Sequence, residues 1–365
     1  MLLRRKLMLG NLVKYRNKKV LITGHTGFKG SWLSLWLKML GAKVIGVSDE
    51  VKKGYLFDLI NLKKDIKNYY FDISNQKKLS KVILSNKPDF IFHLAAQALV
   101  KNSFLFPLDT WKANTFGTIN LLESLRKLKS KCTIIIITSD KVYKNIEVKK
   151  GYKENDILGG EDPYSASKAS AELAIHSYIK SFLKNNKNLS FGIARAGNVI
   201  GGGDWSNDRL IPDCIKFWKK RRPVVIRNPL STRPWQFVLE VVYGYLSLGI
   251  FISNKKKYSG EAFNFGPKLS TKNYTVKEIL KICKLYWPNI KWKIYSKNKK
   301  FKESRLLRLN SNKSQKLFAW SCVLDIKNVI FYTLEWYKFS LFKKNKKFLL
   351  HFSKSQIKQY QKYIK

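Results

Sequence analysis

Tyr164 and Lys168 stand four residues apart in the run YSASK, which on a helix puts both on one face. A tyrosine with a pKa of about 10 is a poor base at neutral pH. A neighbouring ammonium, helped by a cationic nicotinamide, would stabilise the phenolate and lower that value. Lys168 could also hold the nicotinamide ribose. A surface Tyr–Lys pair is common, but here Asp162-Pro163 precedes it and an apolar run ends upstream in Thr138-Ser139-Asp140-Lys141. On its own, Asp140 reads as a turn residue after a strand.

A second cluster lies near the N-terminus. Gly24-His25-Thr26-Gly27-Phe28-Lys29-Gly30 follows KVLITG and opens an amphipathic stretch. Gly24 allows a tight turn, Gly27 lets backbone approach a pyrophosphate, and Gly30 lets a helix lie against the strand. Thr26 and Phe28 complete the turn. The helix start would then present free N–H groups and partial positive charge to the phosphates. Asp49 stands where a carboxylate would accept hydrogen bonds from ribose hydroxyls, which favours NAD over NADP. Lys52 and Lys53 are close by and could instead hold a 2′-phosphate if they point inward. Asp72-Ile73 would reach the adenine edge. Leu94-Ala95-Ala96 ends another apolar run, where small residues leave the cofactor room.

The elements that must position these residues alternate. Strands are expected over 19–24, 42–48, 68–74, 89–96, 131–139 and 189–199. Helical patterns fall over 28–40, 78–86, 110–128 and 164–184. This is an α/β pattern and predicts a Rossmann-type, doubly wound parallel sheet. After residue 200 prolines punctuate shorter elements, which suggests a smaller C-terminal substrate lobe. The expected division is a basic leader over 1–18 and a dinucleotide-binding domain over 19–200, with returning segments from 230–267. A lobe over 201–337 and a basic, largely solvated tail over 338–365 complete it.

The chain has 365 residues, 71 Lys+Arg against 24 Asp+Glu, and a net charge of +47. An apolar fraction of 45% excludes a disordered polycation. The charge raises the possibility of a basic nucleic-acid or membrane-surface binding protein. Against that, the lysines are spread over helix faces and both ends, with no recognition-module motif. The charge reads mainly as background, with modest steering of an anionic substrate. The apolar stretch 237–252 contains Glu240 and falls short of the ~20 residues of a membrane span. Cys132, Cys214, Cys283 and Cys322 form no CxxC pair, so no metal site is expected and a reducing compartment is.

Taken together, KVLITGHTGFKGSWLSLWL, FIFHLAAQALV, TSDKVY, GYKENDILGGEDPYSASKASAEL, ARAGNVIGGGDW, DRLIPD, RPWQFVLE and FNFGP resemble the extended short-chain dehydrogenase/reductases that act on nucleotide sugars. This is the NAD-dependent epimerase/dehydratase family, and the nearest resemblance is to its CDP-glucose 4,6-dehydratase branch. The match runs from residue 19 to about 267, and RLLRLNSNKSQKLFAW extends it weakly to 320. GHTGFKGSW, NVIGGGDW and TSDK are its most specific parts.

The resemblance implies NAD as cofactor, CDP-glucose as substrate and loss of water to give a 4-keto-6-deoxy sugar. Tyr164 would be base for the C4 hydroxyl with Ser139 as its partner, and Asp140 the acid for the C6 hydroxyl. Lys141 occupies the C5-base position, either as a deprotonated amine or as a charge that stabilises the enolate. Asn198 would contact substrate, and Arg209 and Arg233 its diphosphate. Arg195 is open between substrate contact and a structural ion pair. The 144–155 loop, with Tyr152 and Glu154, is expected to flank the site. Epimerases of the family carry small or uncharged residues where Asp140 stands. The alternatives are a dTDP- or GDP-hexose 4,6-dehydratase or a 4-epimerase. A cytoplasmic homodimer or homotetramer in deoxysugar biosynthesis is also implied, with helices near 110 and 164 pairing between copies.

Overall fold

A computed structural model describes residues 2–294, 306–342 and 345–365. Arg305, which opens the late matching segment, lies outside them, as do residue 1 of the leader and parts of the 201–337 and 338–365 spans.

Seven parallel strands form the main sheet: Lys19–Thr23, Lys43–Ser48, Lys67–Tyr70, Phe90–His93, Cys132–Ile137, Leu189–Ala196 and Glu261–Phe265. Numbered in chain order, they lie 7-6-5-4-1-2-3 across the sheet. Except in the third, edge strand, their β-branched and aromatic residues are buried on both faces, as a sheet covered by helices requires. Leu21 pairs with Ile45 on one side and Ile91 on the other, so the first strand sits where the winding reverses. Ligands of such sheets bind beyond the carboxyl ends of the strands near that reversal. Gly24, Asp49, Leu94, Ser139 and Asn198 each follow a strand's carboxyl end by at most two residues.

The structure changes several sequence boundaries. The third strand stops at Tyr70, because Asp72 Oδ1 accepts the Ser74 N–H at 2.7 Å and turns the chain. The 110–128 helix is interrupted by a π-helical turn over Lys112–Phe116. There Asn114 Nδ2 donates to Ser167 Oγ at 2.9 Å, and Thr115 Oγ1 donates to the Ser167 carbonyl at 2.9 Å. A second π-helical turn, Ile179–Leu183, ends the Tyr164 helix. The apolar helix Val238–Asn254 lies buried against the fifth and sixth strands.

The two ends of the chain are packed rather than solvated. Helix Leu2–Asn11 leads into a 3-10 turn in which Leu12 and Tyr15 are buried, and Tyr15 Oη donates to the Leu246 carbonyl at 2.8 Å. The expected C-terminal tail forms helix Lys346–Ile364. Leu349, Ile357, Tyr360 and Ile364 repeat at helical spacing and bury one face, with Tyr360 edge-on to Trp36 at 6.0 Å. The lysines disguised this stripe. The first and last helices also contact each other.

Candidate active site

The glycine turn is held by close backbone contacts. Gly24 has φ +74°, and a Cβ there would lie 2.7 Å from the Ala95 nitrogen. A Cβ on Gly30 would fall 2.0 Å from the Gly24 carbonyl oxygen, so only glycine lets helix Phe28–Met39 start here. Gly27 is exposed at the N-cap and no side chain caps the helix. The first N–H groups therefore have no intrahelical acceptor and face outward as an anion cradle. Thr26 Oγ1 donates to the Glu50 carbonyl at 2.8 Å, tying the turn to the loop after the second strand. The Phe28 ring is buried, so what it can offer a phosphate is its backbone N–H.

Asp49 is exposed in that loop, with Oδ1 accepting the Glu50 N–H at 2.9 Å. Lys52 pairs with Glu50 at 3.5 Å, so its charge is directed to a carboxylate. Asp72 is exposed and Ile73 buried. Leu94 and Ala95 are bonded to Thr23, which places Leu94-Ala95-Ala96 beside Gly24.

Ser139 and Asp140 follow the fifth strand and are buried. Ser139 Oγ donates to Asp140 Oδ1 at 3.0 Å and accepts the Lys141 N–H at 3.2 Å. Among the described residues, Asp140 Oδ2 is buried without a hydrogen-bond partner. Burial raises the carboxyl's pKa, against the pull of Lys141, Ser139, Arg233 and Lys29. A Cβ on Gly197 would approach Oδ2 to 3.1 Å and Pro234 to 2.8 Å, so this glycine keeps the carboxyl's surroundings open.

The Tyr164 helix starts at Pro163, with Asp162 Oδ1 accepting the Ser165 N–H at 3.0 Å. Tyr164 and Lys168 are both buried on it. Burial pushes the Lys168 ammonium down to about 8, opposed by Glu172. The chain's own groups do not lower the Tyr164 phenol. Burial raises it, and Asp140 adds to this, against hydrogen bonding with Ser139 and the Arg209 charge. Desolvation of the phenolate thus outweighs the cations that the chain supplies.

Arg209 donates from Nη1 to the buried Asp204 at 2.8 Å and lies within electrostatic reach of Tyr164. Arg233 donates to the Thr232 carbonyl at 2.7 Å and reaches Asp140. Asn198 is half-buried, its carbonyl accepting the Gln236 N–H at 3.2 Å. Ser139, Asp140, Lys141, Tyr164, Arg209 and Arg233 therefore face one electrostatic neighbourhood, with Lys168 beside it.

Arg195 is a structural ion pair. Its Nε donates to both oxygens of the buried Glu172, at 2.9 and 3.0 Å. Tyr152 and Glu154 are engaged by structural partners: Tyr152 stacks on Tyr143 at 5.0 Å, and Glu154 Oε1 accepts the Asn264 N–H at 2.9 Å. Sequence reasoning missed Lys29 and Tyr245. Lys29 Nζ donates to Tyr245 Oη at 3.3 Å and reaches Asp140, Lys168 and Arg209. Its signal is its place inside GHTGFKGSW, between Phe28 and Gly30 of the turn.

A glycine turn at the winding reversal, with a Ser–Tyr–Lys set beyond the fifth strand, defines an extended short-chain dehydrogenase/reductase. More particularly, residues 21–330 match the GDP-mannose 4,6 dehydratase family model, and the chain belongs to that family. It is 38% identical over 329 residues to the CDP-glucose 4,6-dehydratase of Salmonella typhimurium, covering 89% of this chain and 91% of that one. It is 26% identical over 330 residues to the UDP-glucose 4-epimerase of Mycoplasma genitalium, covering 86% and 94%. Among solved structures, an epimerase of Methanothermobacter thermautotrophicus superposes with a TM-score of 0.81 at 24% identity, over 92% and 96% of the two chains. The dTDP-glucose 4,6-dehydratase of Bacillus anthracis in complex with NAD gives 0.72 at 21%, over 88% and 96%. These two likenesses show the fold.

Proposed function

We propose that the chain is an NAD-dependent hydro-lyase that converts CDP-glucose to CDP-4-dehydro-6-deoxyglucose and water. The observation that carries this reading is Asp140, a buried carboxyl with a raised pKa and an unpartnered oxygen beside Ser139. Epimerisation at C4 has no use for an acid at that position, whereas dehydration must protonate a departing hydroxyl.

The glycine turn fits a dinucleotide: two Cβ-intolerant glycines, an uncapped helix start and a carboxylate at Asp49. The chemistry supplied by bound NAD is removal of the C4 hydride and its return to C6. Tyr164 takes the C4 hydroxyl proton, and Ser139 orients that phenol. A cationic cofactor ring provides the lowering of the Tyr164 pKa that the bare site lacks. Lys168 holds the nicotinamide ribose. Once C4 is a ketone, the C5 proton is acidic. Lys141 faces C5 as base or enolate stabiliser, while Asp140 gives its proton to the C6 hydroxyl. Arg209, Arg233 and Asn198 hold the nucleotide diphosphate and sugar.

The purified protein should turn CDP-glucose and NAD into a 4-keto-6-deoxy product with solvent deuterium at C5. No such product, alongside turnover of a dTDP-, GDP- or UDP-hexose, would replace the substrate. Interconversion of C4 epimers without loss of water would replace the reaction.

A second copy of this chain is the proposed partner, as a homodimer or homotetramer. Leu105, Phe106, Leu108 and Phe116 leave large apolar surface exposed near the Tyr164 helix, which itself exposes Leu173. Among the described residues no helix is long and apolar enough to cross a membrane. The free thiols support a reducing, cytoplasmic setting. There the product would supply deoxysugars for surface polysaccharide such as lipopolysaccharide O-antigen.

A further inference from the structure

Lys29 is not used in the mechanism above, yet it lies among the groups that carry it. It belongs to the first turn of helix Phe28–Met39, and its ammonium crosses to Tyr245 on helix Val238–Asn254. The contact is a 3.3 Å hydrogen bond to the phenol oxygen, with Nζ 5.7 Å from the ring centroid. Tyr245 is fully buried and itself faces Tyr164 and Asp140. Among the described residues no carboxylate lies within ion-pair distance of Lys29, so its positive charge is not neutralised by a partner. The acidic group in its reach is Asp140.

We propose that Lys29 is a positioning residue of the dehydration step. Anchored on Tyr245, its charge faces Asp140 and sets the pH range over which that carboxyl can hand its proton to the C6 hydroxyl. This rests on the reading of Asp140 as the acid. The groups that face Asp140 come from five elements: Ser139 and Lys141 on its own loop, Lys29, Arg233, Tyr164 and Tyr245. The other cations that face Asp140 are Arg233, which donates to the Thr232 carbonyl, and Lys141, which is half-buried as Lys29 is. Lys29 is itself pushed down to about 7 by burial, Arg209 and Lys168. It therefore loses charge near neutrality, and two titrating groups within electrostatic reach of each other share their protons as a pair. As the amine becomes neutral, Asp140 keeps its proton to higher pH and the acid stays loaded.

The test is infrared titration of the Asp140 carboxyl in the NAD-loaded, sugar-free enzyme, isolated as the difference from Asp140→Asn. Lys29→Met should raise the midpoint by about one pH unit. Lys29→Arg should restore it, and Tyr245→Phe, which frees the ammonium from its anchor, should raise it less than Lys29→Met. The alkaline limb of the CDP-glucose dehydration rate should move up with the midpoint. If Lys29→Met folds poorly, Tyr245→Phe decides, with Lys29→Arg expected to stay at the parental midpoint. An Asp140 midpoint that moves in neither Lys29→Met nor Tyr245→Phe, or that moves in Lys29→Arg as far as in Lys29→Met, overturns the proposal. A midpoint that moves as expected in an enzyme that does not dehydrate any nucleotide sugar supports the Lys29–Asp140 coupling and overturns the dehydratase reading instead.

Discussion

One face of helix Pro163–Tyr178 carries Tyr164, Lys168 and Glu172 at successive four-residue steps, and the two ends of that row differ in kind. At the Glu172 end every group is used. Its oxygens accept from Thr138 Oγ1 at 2.6 Å and from Arg195, whose Nη1 also donates to Tyr143 Oη at 2.7 Å and the Glu154 carbonyl at 2.9 Å. At the Tyr164 end, Asp140 Oδ2 has no partner, the phenol and carboxyl are raised, and the ammoniums are lowered. Adjacent residues serve the two ends, Thr138 the first and Ser139 the second. A buried ionic cluster whose hydrogen-bonding capacity is filled is scaffold. One with capacity left over is waiting for a ligand to complete it.

Substitutions should separate the two ends. The largest effect belongs to the incomplete end: Tyr164→Phe should cut kcat by about 10³-fold or more, and Asp140→Asn by about 10²–10³-fold. Thermal unfolding of both variants should stay close to the parent. A loss of folding equal to the loss of turnover would erase the distinction. Next comes Glu172→Ala, which strands the Arg195 charge in the interior. It should cost about 3–5 kcal/mol in denaturant unfolding, while in the molecules that remain folded Lys168, no longer held up by Glu172, titrates at lower pH.

The third effect is smaller and depends on pH. Folded Lys168, at about 8, lies below its ordinary 10.5. Below pH 8 both folded and unfolded chains hold that proton, and burial of the charge opposes folding in full. Between about 8 and 10.5 the unfolded chain binds more protons, so stability rises with pH. Relative to Lys168→Met, the parent should therefore gain about 3 kcal/mol across that window. A flat difference would mean that Lys168 is not held charged in a dry site. The smallest effect marks the control. Lys18 and Asp89 pair at 3.4 Å with both side chains well exposed, and Lys18→Met should change stability by less than about 1 kcal/mol.

Most of the site was legible because its parts are local. The glycine turn, Ser139-Asp140 and the Tyr164–Lys168 step each fall within a few residues, at strand ends that the apolar runs already marked. What escaped depends on groups distant in sequence. Lys29 meets Tyr245 only after two helices pack together. Arg195 could be assigned to Glu172 only once the sixth strand lay beside the Tyr164 helix. The sign of the Tyr164 shift turned on burial, which spacing does not report. The C-terminal helix was hidden by composition, since its lysines outweigh a buried stripe of Leu349, Ile357, Tyr360 and Ile364.

That helix also orders events in time. Leu2–Asn11 and Lys346–Ile364 touch across nearly the whole chain, and the later one covers Trp36 and Tyr243 through Tyr360. During synthesis the first helix leaves the ribosome long before its partner exists. Every residue of the reaction centre is synthesised before that partner, yet the aromatic surface around Trp36 and Tyr243 stays uncovered until the helix from Lys346 arrives. A nascent chain stalled before Lys346 would carry all the residues of the reaction centre with that aromatic surface still exposed.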